Sequence, residues 1–556
     1  MTPHLRQLDI APLSGSVSWS ARAGRLAWGF VALGTIIRLV VYLMRFPLWV
    51  DECMLAENYL DRGFLDCLNP LDHHQVAPIG FLWIELAIVK LLGFSEWSLR
   101  LFPLVCGIAS LFVFRHVASR LLAGIPLVLA VGSLAVAKAS IGLSADAKPY
   151  ASDLFVAVAL LALAVEWLRQ PQRSVWLWLL VGAVPAALAL SFPAVFVAGA
   201  VSCGLAVPVW RHRSWPTWAA FAAYNLTLGL AFLGLYLAST GAQSKMHQEF
   251  MIAYWSQFDA FPPTQLGKLA IWLVTVHLGD NIFSVPYGME NGGGLIALIC
   301  LICGIGTMIR RGQSPVTTIF LATFGLAFVA AVGRHYPYGG HARLNQFLAP
   351  SLAIGCGLGA AVLLGYVADA RLRRKLATGL VAVLALFGAG VGGRAVQHPF
   401  HHPYDVRQRD VARNVWRSGS ESIAVCALTD LHEKFWSDGW FPYYRCNQRI
   451  YSERHQHGRA LELCDLSRFD RPVRLVVYRP PHKTIGRQVL ADCQNGLTPD
   501  FDCVKHETLT LSAPDVEPEL SDAYEIFVFE PHRTARGCEP VEMLTRDDLF
   551  ADDRPL

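Results

Sequence analysis

The sequence predicts a polytopic α-helical membrane protein of about 11 transmembrane helices that ends in an extracytoplasmic α/β domain. Three observations carry that expectation. Of 556 residues, 54% are hydrophobic and only 16% charged, where a soluble chain carries roughly a quarter charged. Apolar stretches of about 20 residues recur, each long enough to cross a hydrocarbon core of about 30 Å. Basic residues fall on alternate loops between them, the asymmetry that marks cytoplasmic loops. A formal net charge of +4 is small and no Lys/Arg run resembles a nucleic-acid patch, so a nucleic acid is a poor fit.

Residues 1–25 are mixed and polar. The run 26–44 is too long for a signal-peptide core and has no small-residue cleavage site after it, so it reads as a retained first helix. Further spans are expected at 98–119, 122–143, 150–168, 174–192, 194–210, 216–237, 294–309, 315–333, 345–366 and 376–396. With the amino terminus, Arg115 and Arg120, Arg169 and Arg173, Arg211 and Arg213, Arg310 and Arg311, and Arg371, Arg373, Arg374 and Lys375 mark the cytoplasmic side. An odd number of spans then puts 46–97, 238–293 and everything after about 397 on the periplasmic or other extracytoplasmic face of the inner (plasma) membrane. Segments 79–92 and 265–278 are apolar but short, and each reads as a helix lying in the interface. Two domains follow: 1–396 in the membrane with its two large outside loops, and 397–556 outside.

In the tail, charge and proline rise and three β-rich runs appear: SIAVCAL near 422, VRLVVY near 473 and YEIFVF near 524. A helical stretch, VRQRDVARNVWR, precedes the first. Cys106, Cys203, Cys300, Cys303 and Cys356 lie within spans and read as apolar packing. Cys53 and Cys67 fall in the first outside loop. The tail holds Cys426, Cys446, Cys464, Cys493, Cys503 and Cys538, an even set that suggests disulfides. Zinc is the rival reading, but the tail has no C-x-x-C pair.

Three clusters of polar residues fall on the outside face. Asp51 and Glu52 follow Trp49 a few residues beyond the first span, where an acid is costly to desolvate. Neighbours on a helix diverge by about 100°, so the two cannot form a facing acid/base pair. The second cluster runs from Ser144 to Asp153 and holds Asp146, Lys148, Tyr150 and Asp153. The third, from Gly333 to Arg343, holds Arg334, His335, Tyr336, Tyr338, His341 and Arg343. Arginine suits phosphate recognition through its planar donor fork. Arg38, inside the first span, should avoid lipid. The plain alternatives are solvated loop acids and interfacial anchoring by Tyr and Arg. His73-His74 and the His398-x-x-His401-His402 group hint at metal, but Pro399 and Pro403 deny the latter a helical spacing, and no metal site is assigned. Gly292-Gly293-Gly294 lacks the Lys-Ser/Thr of a phosphate loop and reads as a hinge, with 238–293 a lid.

Trp49-x-Asp51-Glu52 after one span, Gln75-x-x-Pro78-x-Gly80-Phe81-Leu82, and Leu92-Gly93-x-Ser95-Glu96-x-x-x-Arg100 together resemble the amino-terminal half of the GT-C glycosyltransferases. That family includes protein O-mannosyltransferases, lipid A aminoarabinose transferases and Rgt-type lipopolysaccharide-core transferases. The turn Lys148-Pro149-Tyr150-x-x-Asp153 and the stretch Tyr336-Pro337-x-x-Gly340-x-x-Arg343 are similar to its later motifs, and the likeness spans roughly 26–365. The resemblance implies a polyprenyl-phosphate-linked sugar as donor and an envelope glycolipid, glycan or protein as acceptor, with no cofactor. It implies Asp51 as general base in an inverting displacement, with Glu52 beside it. Arg343, Lys148, Arg334 and Arg38 become candidates for the donor phosphate, and Tyr150, Asp153, His341, Gln75 and His74 for substrate contacts. Retention would need two carboxyls facing each other about 5 Å apart, which adjacent acids do not offer. A membrane transporter or flippase for a lipid-linked or anionic substrate is the principal alternative, though the two halves show no repeat. A non-enzymatic envelope scaffold is the third reading.

Overall fold

The computed structural model describes residues 17–278, 282, 293–417, 422–426, 440–451, 459–460, 473–479, 501–510 and 523–531. The chain divides into two compact units, Met1–His401 and His402–Leu556.

The first unit is helical throughout. After α1 (Val17–Leu43) come two short helices, α2 (Val50–Ala56) and α3 (Asn58–Asp61), then α4 (Ile79–Leu92) and the long α5 (Glu96–Leu121). The expected third span is broken. α6 (Ile125–Ala135) and α7 (Lys138–Gly142) meet at a bend of 51°, where Val136 and Ala137 leave helical geometry. Then follow α8 (Tyr150–Arg169), α9 (Val175–Leu190), α10 (Ala194–His212), α11 (Trp215–Leu235), α12 (Gly241–Ser256) and α13 (Leu266–Leu278). The unit closes with α14 (Gly293–Arg310), α15 (Ser314–Val332), α16 (Ala349–Gly365) and α17 (Ala370–Gln397).

Among the described residues, nine helices are long and apolar enough to cross a membrane, or ten if the bent pair counts as one span. The expected span that falls short of this length is α9, whose 16 residues reach about 24 Å at 1.5 Å per residue. Gly293 and Gly294 are buried in the first turn of α14, so they are helix rather than hinge; Gly292 lies outside the described residues.

Burial ranks the helices by position. In α8 and in the span ending with α16, 78% of the apolar window is buried, against 11% in α11 and in α17. The first two form the centre and the last two the rim, where Leu226, Leu230 and Leu233 of α11 are exposed to an apolar solvent. Close approach at the centre depends on small residues, the usual means of packing helices in lipid. A Cβ on Gly359 of α16 would collide with the Cys300 carbonyl oxygen of α14. Gly359→Ala is expected to cost about 1–3 kcal/mol through overpacking. Thermal unfolding in detergent checks this, and an unchanged midpoint would refute it.

Arg38 of α1 is fully buried. Its guanidinium donates to the Ala135 carbonyl at 2.9 Å, the Gly34 carbonyl at 3.1 Å and Ser144 Oγ at 3.1 Å. Ala135 ends the last turn of α6, where the break stops the ladder of i→i−4 bonds. Backbone at a helix end thus takes part of the buried cation's donors, while its Nη2 has no acceptor among the described residues, and the bond to Ser144 ties α1 to the segment leading to Asp146 and Lys148.

The second unit is α/β. Helices α18 (Pro403–Arg417) and α19 (Trp440–Tyr451) are joined by a bond of 2.6 Å from the Tyr443 hydroxyl to Asp405. Strands β1 (Ser422–Cys426), β2 (Arg459–Ala460), β3 (Val473–Arg479), β4 (Phe501–Thr510) and β5 (Ala523–Pro531) form one sheet in the order β2-β1-β3-β5-β4. The first three run parallel, while β5 pairs antiparallel with β3 and β4. Four consecutive residues of β5, Ile526 to Phe529, are buried, so both faces are covered at the strand next to the edge. Of the tail cysteines expected to pair, Cys426 lies in β1, Cys446 is buried in α19 and Cys503 is exposed on β4; Cys464, Cys493 and Cys538 lie outside the described residues.

Candidate functional site

The two neighbouring acids part company at once. α2 begins after Trp49, whose backbone is extended, and Glu52 in its first turn turns back to accept the Trp49 N–H at 3.2 Å. Glu52 has no exposure. It accepts 2.7 Å bonds from Arg100 Nε and the Ala147 N–H, and its other oxygen pairs with Arg100 Nη2. Arg100 also donates to the carbonyls of Phe46 at 2.5 Å and Pro47 at 3.2 Å. Burial pushes the Glu52 carboxyl up, but the Arg100 guanidinium outweighs it and holds the pKa below the ordinary range. Glu52 and Arg100 therefore fasten the acid loop to the start of α5.

Asp51 points the other way and keeps 21% of its side chain exposed. One oxygen meets Lys148 Nζ at 3.0 Å and the other Arg343 Nη1 at 2.9 Å. Lys148 also donates to Gln75 Oε1 at 2.5 Å. Burial raises the Asp51 carboxyl, and the two cations more than reverse this, leaving its pKa lowered. The group is a partly open carboxylate bridged by a lysine and an arginine drawn from three separate stretches of chain.

Arg343 is fixed by the loop before it. Gly340 takes φ 69° where a Cβ would press on Ala260, and Asn345 Nδ2 donates to the carbonyls of Gly339 and His341 at 3.1 and 2.9 Å. His341 Nδ1 accepts the Arg343 N–H at 3.2 Å. The guanidinium lies among three rings, with Cζ 5.7 Å from Trp49, 5.9 Å from Tyr150 and 5.0 Å from Trp255. Tyr150 and His341 thus stand beside the Asp51 group.

Other candidates lie elsewhere. Arg38 is committed to Ser144 and backbone carbonyls and does not reach Asp51. Arg334 is exposed in a left-handed turn after α15, without a side-chain contact to the Asp51 group among the described residues. Asp153 is buried in the first turn of α8 with Oδ1 unpartnered. His74 stands 3.1 Å from His247 of α12, Nδ1 to Nδ1, and stacks on Phe250 at 4.3 Å, so it joins the first loop to α12.

Among the described residues, one group of three could hold a cation: Glu52, Asp146 and His401. Its donor set suits a cation poorly. The Glu52 oxygens are already bonded to Arg100, Ala147 and Trp49. Asp146 accepts Trp49 Nε1 at 2.8 Å, and burial followed by the Glu52 charge pushes its carboxyl up, which favours the neutral form over a metal-binding carboxylate. The sequence reading gave no role to Trp255. Its signal was the aromatic run Phe250 to Phe258 within the expected lid.

No family model and no curated protein matches the sequence. Among solved structures, ArnT from Cupriavidus metallidurans bound to undecaprenyl phosphate aligns with a TM-score of 0.51 at 13% identity, over 92% of this chain and 98% of that one. The apo form of ArnT gives 0.49 at 13% identity, over 90% and 98%. The arabinofuranosyltransferase AftD from Mycobacteria gives 0.43 at 17% identity, over 93% of this chain and 40% of its own.

Proposed function

We propose that this chain, whose fold is the GT-C fold of ArnT, is an integral-membrane inverting glycosyltransferase that moves a sugar from a polyprenyl phosphate to an extracytoplasmic acceptor. One observation carries the reading: Asp51 is a partly exposed carboxylate bridged by Lys148 and Arg343. Such a group offers a base and two cations within one contact distance. In the reaction, an acceptor hydroxyl gives its proton to Asp51 as its oxygen bonds to the anomeric carbon. The bond from that carbon to the phosphate oxygen breaks on the opposite face, with inversion. The departing prenyl phosphate carries the negative charge, which Lys148 and Arg343 receive. Gln75 orients Lys148, and Tyr150 and His341 border the sugar. Arg38 and Arg334 have no part in this scheme.

The undecaprenyl phosphate in the ArnT structure supports a lipid-linked donor here. The alternation of basic loops supports an outward-facing site, with the residues after about 397 on the same side and their cysteines in disulfides. Acceptors on that side are envelope glycolipids, glycans and proteins. Mass spectrometry of envelope glycolipids and glycoproteins, with and without this protein, is the test. One species lacking a single sugar is expected in its absence. Identical profiles would overturn the proposal.

A further inference from the structure

We infer that the indole N–H of Trp255 is a second ligand of the donor phosphate, beside Arg343; the inference rests on the polyprenyl-phosphate reading above and names a residue that reads that head group. Trp255 is 4% exposed, and its Nε1 has no acceptor among the described residues. Arg343 gives Nη1 to Asp51, while its Nε is buried and likewise without an acceptor. The guanidinium carbon is 5.0 Å from the Trp255 ring. Two neighbouring side chains therefore each keep a buried donor without an acceptor among the described residues, and buried donors are rarely left so. What satisfies a cationic and a neutral N–H at one place is an anionic oxygen.

An orphaned indole is not distinctive by itself. Trp167 and Trp176 also have buried, unpartnered Nε1 atoms. Trp255 differs in having the unpartnered Arg343 Nε beside it, next to the partly exposed Asp51. Its ring is held firmly, edge-on to Tyr254 at 5.0 Å and packed with Ala260 and Leu344. Ala260 in turn accepts the Tyr338 N–H at 2.8 Å, which joins the turn after α12 to the Arg343 loop. The indole is preorganised for an oxygen instead of swinging in to meet it.

Trp255→Phe tests this, because it keeps a ring over the guanidinium and removes only the N–H. Full-length protein in detergent is titrated with undecaprenyl phosphate, with undecaprenol, which lacks the anion, and with inorganic phosphate. Undecaprenyl phosphate is expected to bind about tenfold more weakly to the variant, as for one hydrogen bond to a charged group. Undecaprenol should bind both proteins equally, which also reports an intact fold. Equal undecaprenyl phosphate affinity in the two proteins overturns the inference and leaves the proposed activity standing. A wild-type protein that binds no undecaprenyl phosphate overturns both. Tighter binding of inorganic phosphate than of the lipid would assign the two donors to a free anion and overturn the lipid assignment.

Discussion

Asp51→Asn is expected to lower glycosyl transfer by roughly a hundredfold or more, the usual loss when a general base is removed. The substitution keeps size and shape, so α2 and the Glu52 contacts should be undisturbed. It removes the atom that takes the proton. It also breaks the symmetry of the bridge, because an amide can turn its oxygen to only one of Lys148 and Arg343. The other cation then faces an NH2 group. Donor affinity should not fall, since the competing negative charge is gone and neither cation is neutralised by it. Turnover and undecaprenyl phosphate binding measured on the same preparation separate these effects. Near-normal turnover, or a larger loss in Glu52→Gln, would show that the base is not Asp51.

Arg100→Ala carries the second large effect, and on stability. Removing one partner of a buried ion pair typically costs about 3–5 kcal/mol, because the other charge stays buried alone. Here Glu52 has no exposure and would keep only backbone donors, while the Phe46 and Pro47 carbonyls would lose theirs. The double change Arg100→Met with Glu52→Gln should recover much of the loss, since no unpaired charge remains. The same pair gives stability a pH dependence. Glu52 has its pKa lowered on folding, so its contribution is full above the unfolded value and fades as pH falls through the lower folded one. Denaturant unfolding in detergent at neutral pH is the measurement. An Arg100→Ala midpoint equal to wild type would mean that the acid loop is held by something else.

Hydropathy locates helices because each residue of a span contributes to a local average, and all eleven expected spans fall on helical segments. Local averages are blind to what happens inside a span. The one proline of the run 122–143, Pro126, sits in the first turn of α6 and not at the bend, so the bend at Val136 and Ala137 appears only once Arg38 is seen to use the Ala135 carbonyl. The same blindness misdirected Arg38. A charge in a span was read as pointing to the site, whereas it donates to a helix end. That the three clusters share one face could be read from the basic loops. Their pairing could not, because Asp51 meets Lys148 and Arg343 across 97 and 292 residues. Strand β4 escaped notice for another reason. Residues 502–508 are exposed on a sheet edge and so lack the alternation that marks a half-buried strand.

The bond between Arg38 and Ala135 also sets a clock on synthesis. An arginine inside a span raises the free energy of insertion by up to about 2.5–3.5 kcal/mol. The carbonyl that relieves it lies 97 residues further along the chain. At a ribosomal pace of about 5–20 residues per second, that carbonyl emerges roughly 5–20 seconds later. For that interval Arg38 has only the Gly34 carbonyl of its own helix among the oxygens it meets in the folded chain. The carbonyl at the end of α6 joins it when that helix arrives beside α1, so a pair of helices, and not the first span alone, accommodates the charge.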